Sequence, residues 1–93
     1  MLITHAVEDD TLHVTLQGQL DITNRTTAAV QIEALVRDRH PHRVTLQIPT
    51  GEPTPATLSA LLRTHRMCQG HGIPLKLNGA TPTARRLFVV NTA

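Results

Sequence analysis

Val44-Thr45-Leu46-Gln47-Ile48-Pro49-Thr50-Gly51-Glu52-Pro53-Thr54-Pro55, followed by the run from Ala56 to Gln69, decides how this chain folds. Val44, Leu46 and Ile48 are apolar and alternate with Thr45 and Gln47, the period of a strand with one buried face. Pro49 to Pro53 continues neither a helix nor a ladder, so the chain turns there. Thr54 then offers a capping hydroxyl, and the ring of Pro55 already holds the φ that a first helical turn needs. Leu58, Leu61, Leu62, His65 and Cys68 follow at helical spacing as one apolar stripe, and Gly70 is expected to close the helix in a left-handed conformation.

Working outward, Leu2, Ile3, Ala6 and Val7 give a first strand from Met1 to Val7, and Leu12, Val14 and Leu16 give a second from Thr11 to Leu16. Glu8-Asp9-Asp10 joins them as a hairpin, which would set His5 opposite His13. Asp21, Thr23 or Asn24 caps a helix that carries Ala28, Ala29, Ile32, Leu35 and Val36 and stops at His40-Pro41-His42. Ile73, Leu75 and Leu77 form a fourth strand, with Pro74 marking an edge or a strand start. Thr81-Pro82 opens a last helix around Ala84, Leu87 and Phe88.

The order is strand, strand, helix, strand, helix, strand, helix. Right-handed crossovers make the last three strands parallel, so the fold class is α/β with a mixed four-stranded sheet. Strict alternation places the helices mainly on one face, because strands covered on both sides read as continuous apolar runs.

At 93 residues the chain forms one domain, 1–93, and Phe88 as its lone aromatic residue makes the core aliphatic. One cysteine forms no internal disulfide, and the lack of a signal peptide or long apolar run points to the cytoplasm and to no membrane insertion. The net charge of +2 is carried by small, separate basic groups without stacking aromatics, so nucleic acid is not the expected partner. Catalytic constellations are absent: Ser59 lies inside a helix without elbow glycines, and Gly51 is isolated rather than part of a phosphate loop. His65-x-x-Cys68-x-x-His71 reads as a helix stripe rather than a metal site, since structural zinc needs more thiolates. No cofactor is expected.

Several stretches resemble the STAS domain, the family of sulfate transporters and anti-sigma factor antagonists. Val14-Thr15-Leu16-Gln17-Gly18-Gln19-Leu20-Asp21 is similar to the family's strand ending in G-x-L-D. Val44 to Ile48 stands where the family has V-x-L-D-L, with Gln47 in place of the acidic residue. Leu58 with Ala60-Leu61-Leu62 resembles the central helix, and Cys68, Gly72 and Ile73 to Leu77 the approach and fourth strand. Thr81-Pro82-Thr83-Ala84-Arg85-Arg86-Leu87 resembles the last helix, often S-P-x-V-R-R-L.

The resemblance covers nearly the whole chain and implies a non-catalytic module that binds an anti-sigma factor, often a serine kinase, and so frees a sigma factor. Alternatives it leaves open are an accessory domain of a transporter or lipid-trafficking system, and a small-ligand or nucleotide-binding module. Antagonists of the family are switched off by phosphorylation of a serine in a D-S-x-G motif at the start of the central helix. Here that serine falls on Pro55, or without a gap on Ala56, and neither has a hydroxyl. Thr54 and Thr57 are the remaining candidate acceptors, and Thr54 is more simply the helix cap. A helical wheel sets Ala56, Ala60, Arg63 and Met67 together, opposite the Leu58, Leu61, Leu62 and His65 stripe. With Thr54 and Thr57 at the tip, these are the expected partner-binding residues: small alanines for close approach, an adaptable methionine and an arginine for a carboxylate.

Overall fold

Asp9 and Asp10 both take left-handed backbone, with φ of 52° and 61°, and make a two-residue connection of the kind that matches strand twist. Asp tolerates that region because its short side chain bonds locally. This shifts the first hairpin from the register expected: β1 (Ile3–Glu8) keeps Glu8 in the ladder, opposite Thr11 of β2 (Thr11–Leu16). Ala6 therefore faces His13, and His5 faces Val14. A one-residue slip moves a side chain to the other face. His5 and His13 thus lie on opposite sides of the sheet and form no cross-strand pair.

The structure is a computed structural model that describes residues 2–49 and 51–92. Met1 of the expected first strand and Thr50 of the expected turn lie outside the described residues. The elements continue as α1 (Arg25–Arg39), β3 (Arg43–Gln47), α2 (Pro55–Gly70), β4 (Leu75–Asn78) and α3 (Pro82–Thr92). One four-stranded sheet runs β1-β2-β3-β4, antiparallel for the first pair and parallel for the other two. This is the α/β class and the mixed sheet that the element order implies.

Every second strand residue points at the helices. Leu12, Val14, Leu16, Val44, Leu46 and Leu77 are buried there, with Ala28, Ile32 and Val36 of α1 and Leu61 and Cys68 of α2 in the same core. The alternating residues Thr11, His13, Thr15 and Thr45 stay partly exposed on the far side, and His13 Nδ1 lies 2.6 Å from Thr45 Oγ1. An uncovered sheet face of this kind keeps polar side chains.

The helix boundaries follow local chemistry. Asp21 Oδ1 accepts the Thr23 and Asn24 amides, and the Arg25 amide reaches Asp21 O, so the chain is already turning when α1 begins. The Thr23 hydroxyl donates to the same oxygen, and this bond first, with the two amides, holds the Asp21 carboxyl below its ordinary range. His40 ends α1 with φ 47°. At the other end of α2 the left-handed residue is Gly72, with φ 69°, rather than Gly70, which is still helical. Gly72 N donates to Gln69 O and Ile73 N to Cys68 O, the paired bonds of a Schellman ending, and Ile73 then packs on the core.

Candidate partner-binding site

Because β2, β3 and β4 run parallel, their carboxyl ends and the three loops that leave them gather at one rim. That end of an open parallel sheet is where ligands and partners usually meet the fold. The start of α2 is the centre of this rim. Thr54 has extended backbone, with φ −67° and ψ 159°, and its Oγ1 accepts the Thr57 amide at 3.1 Å. Pro55, at the first helical position, is exposed.

Three side chains, those of Thr54, Thr57 and Gln19, tie this tip to the loop after β2. Thr54 Oγ1 donates to Leu20 O at 2.6 Å, and Gln19 Oε1 accepts the Thr54 amide at 3.1 Å. Thr57 Oγ1 accepts the Leu20 amide at 2.8 Å and donates to Gln19 Oε1 at 2.9 Å. Leu20 and Thr57 are both buried, so these bonds stand in for water that neither group can reach. The third loop joins through Thr81, whose Oγ1 donates to Glu52 Oε1 and accepts the Ala84 amide as the cap of α3. The rim is a bonded block.

This corrects the expected site. Thr57 is 0 % exposed and its hydroxyl is fully engaged, so it is a structural strut and not an accessible phosphate acceptor. Ala56 and Ala60, at 8 % and 6 % exposed, are turned inward and not toward a partner. The wheel misplaced the face because α2 is flanked on both sides. It packs against α1 and buries Ala56, Thr57, Ala60, Leu61, Thr64 and Cys68, of which Ala56, Ala60, Leu61 and Cys68 join the core shared with the strands, and small residues there permit a close helix approach. Leu58, Leu62 and His65 are only half-buried; the His65 ring meets Phe88 of α3 edge-on at 5.3 Å. Thr64 is buried because its hydroxyl bonds Ala60 O at 2.8 Å. Met67 is half-buried against the core, and Thr54 is half-buried at the tip.

Of the expected contact residues, Arg63 is exposed. It joins Pro55, Ser59 and Arg66 along the outer face of α2. Arg63 and Ser59 also line a cleft of about 210 Å³ with Arg25 and Thr26 of α1. The residue that sequence reasoning missed is Ile22, 77 % exposed in the loop after β2, two positions from Leu20. Its one signal is an isoleucine inside the polar capping stretch Asp21 to Asn24.

Cys68 is free and buried, and burial pushes its thiol up to about 11, so it does not act as a nucleophile near neutral pH. Among the described residues no three His, Cys, Asp or Glu side chains converge to hold a metal ion, and no helix is long and apolar enough to cross a membrane. Compared with known protein families and with curated proteins, the sequence has no match.

Proposed function

We propose that the chain is a non-catalytic STAS-type binding module of the cytoplasm, acting as an anti-sigma factor antagonist without a serine phosphoswitch. It occupies an anti-sigma factor, in the family often a serine kinase, and thereby releases a sigma factor. The observation that carries this reading is the closed tip of α2. The family's acceptor serine falls on Pro55, which is exposed, or without a gap on Ala56, which is buried, and the hydroxyls of Thr54 and Thr57 around them are already spent on Gln19 and Leu20. A module built this way presents one permanent surface, so control lies in expression level or in the state of the partner.

The contact surface on this reading runs from Ile22 past Pro55 and along Ser59, Arg63 and Arg66, with Met67 at its margin. It pairs one exposed apolar anchor with two cations, a composition suited to an acidic-rimmed partner patch. Ile22→Asp and Arg63→Glu test it, since both side chains are exposed and neither change should disturb the fold. Each should weaken calorimetric binding to an ATPase-fold anti-sigma factor from the same source by roughly tenfold or more, about 1.4 kcal/mol. Unchanged affinity in both would move the interface elsewhere. A permanently closed tip also suits an accessory subunit of a transporter or lipid-trafficking system. That second reading gains if the chain binds such an assembly and no anti-sigma factor.

A further inference from the structure

The sheet has two edges, and they are treated differently. At β4 the edge is short and follows Pro74, it carries Lys76, and Arg85 of α3 donates to Leu77 O at 3.0 Å, which covers a carbonyl on the open side. These are the devices that stop a sheet edge from recruiting another strand. None of them occurs on β1. Its sequence Ile3-Thr4-His5-Ala6-Val7-Glu8 holds no proline, no lysine and no bulge, and all six residues pair in unbroken register with β2.

The register also says which backbone groups are free. Gln17 N donates to Leu2 O, and bonded and non-bonded pairs alternate along an antiparallel ladder. Leu2, Thr4, Ala6 and Glu8 therefore bond inward, while Ile3, His5 and Val7 turn their amides and carbonyls outward. The side chains of those same three residues lie on the helix side of the sheet, the side of Leu12, Val14 and Leu16. Val7 is 48 % exposed there, although its neighbour across the ladder is the fully buried Leu12. Beside them an open groove of about 440 Å³ runs between β1 and α1, lined by Ile3, His5, Gln31, Ala34, Leu35 and Asp38.

We propose that the free edge of β1 pairs antiparallel with the β1 edge of a second copy of this chain, joining the two sheets across a two-fold axis. A strand is the occupant because the edge offers backbone donors and acceptors as well as apolar side chains. The second copy is favoured because the edge is complementary to itself. Pairing centred on His5 sets Ile3 against Val7 of the second copy, His5 against its own equivalent, and Val7 against Ile3. All three outward residues then bond, giving roughly six backbone hydrogen bonds. Any other centre leaves at least one of the three without a partner among those same three residues.

Charge agrees with the direction. A parallel, in-register pair stacks Glu8 on Glu8, whereas the antiparallel pair sets Glu8 against Leu2 of the second copy. The two-fold keeps both helix layers on one side, so the two β1–α1 grooves merge and each receives apolar cover at Val7. The titratable groups facing the junction are His5 and Asp38.

Light scattering after size exclusion, from about 1 to 200 µM, tests the pairing. The parent should approach twice 10.2 kDa as concentration rises. His5→Pro removes an outward amide and no bond of the internal ladder, and Val7→Lys places a gatekeeping charge at the edge. Both should remain at the mass of one chain, with the circular dichroism of the parent. Hydrogen exchange on the parent gives a readout that needs no variant: the Ile3, His5 and Val7 amides should slow with concentration while the core amides do not change. A parent that stays at one chain throughout with fast exchange at those amides overturns the proposal. So does a dimer that persists in both folded variants. Either failure leaves the reading of the α2 surface intact, since β1 and the α2 tip are separate.

Discussion

Replacing Thr57 by Val keeps the shape of a side chain at the centre of the α2 tip and deletes only its hydroxyl. A hydrophobicity scale favours the change, because the residue is fully buried. The hydrogen bonds say the opposite. Gln19 Oε1 keeps the Thr54 amide, and Thr54 Oγ1 keeps Leu20 O, but the buried Leu20 amide has Thr57 Oγ1 as its partner and loses it. An orphaned buried donor costs about 1–3 kcal/mol. For a domain of this size about 2 kcal/mol lowers the melting temperature by roughly 8–16 °C. Urea unfolding followed by circular dichroism measures it, with an unchanged slope showing that the folded and unfolded states stay comparable. Thr57→Ser is the control: it keeps the hydroxyl, loses one methyl, and should cost less than about 1.5 kcal/mol. A Val variant as stable as the parent, or more stable than the Ser variant, refutes the strut.

Burial raises the Cys68 thiol from 9.0 to about 11, so ionisation favours the unfolded chain. Stability from this site is complete below about pH 9 and is lost as pH rises toward 11. The alkaline fall in stability over that window should be shallower in Cys68→Ala, measured by urea unfolding at each pH. In the folded parent at pH 8 a thiol reagent should label Cys68 slowly, and quickly once urea is added. Gly79 has φ 81°, and a Cβ there would run into the Gln47 amide and approach Ile48 O at 3.1 Å. Gly79→Ala should therefore cost about 1–2 kcal/mol for the left-handed backbone alone, with Gly79→Asn milder, read from the same unfolding curves.

The alternation of Leu12, Val14 and Leu16 and of Val44 and Leu46 made the sheet legible, because a side-chain period of two admits one buried face. Thr54-Pro55 and Thr81-Pro82 marked two helix starts for a reason intrinsic to four residues, the cap and the fixed φ. What did not read through depends on contacts remote in sequence. Thr57 and Thr64 look like surface residues until Gln19, Leu20 and Ala60 O satisfy their hydroxyls. Ala56 and Ala60 look like a docking face on an isolated helix, yet α1 lies against α2 and takes that side. The hairpin slipped because Glu8-Asp9-Asp10 leaves the loop length open, and the left-handed pair Asp9 and Asp10 settled it. Gly70 read as the end of α2, but the contact of Ile73 with the core carries the left-handed residue on to Gly72.

The proposed antagonist would bind an anti-sigma factor in one state only. The direct measurement takes the chain and each ATPase-fold anti-sigma kinase from its own source, titrates them by calorimetry, then repeats the titration after incubation with ATP and magnesium. Intact mass is recorded on the same samples. One kinase should bind at micromolar affinity or better, with the same affinity before and after ATP, and the chain should gain no phosphate on Thr54, Thr57 or Ser59. Stoichiometric phosphate at any of these with loss of binding contradicts the permanent surface, and no binding to any of the kinases at about 100 µM contradicts the antagonist role itself.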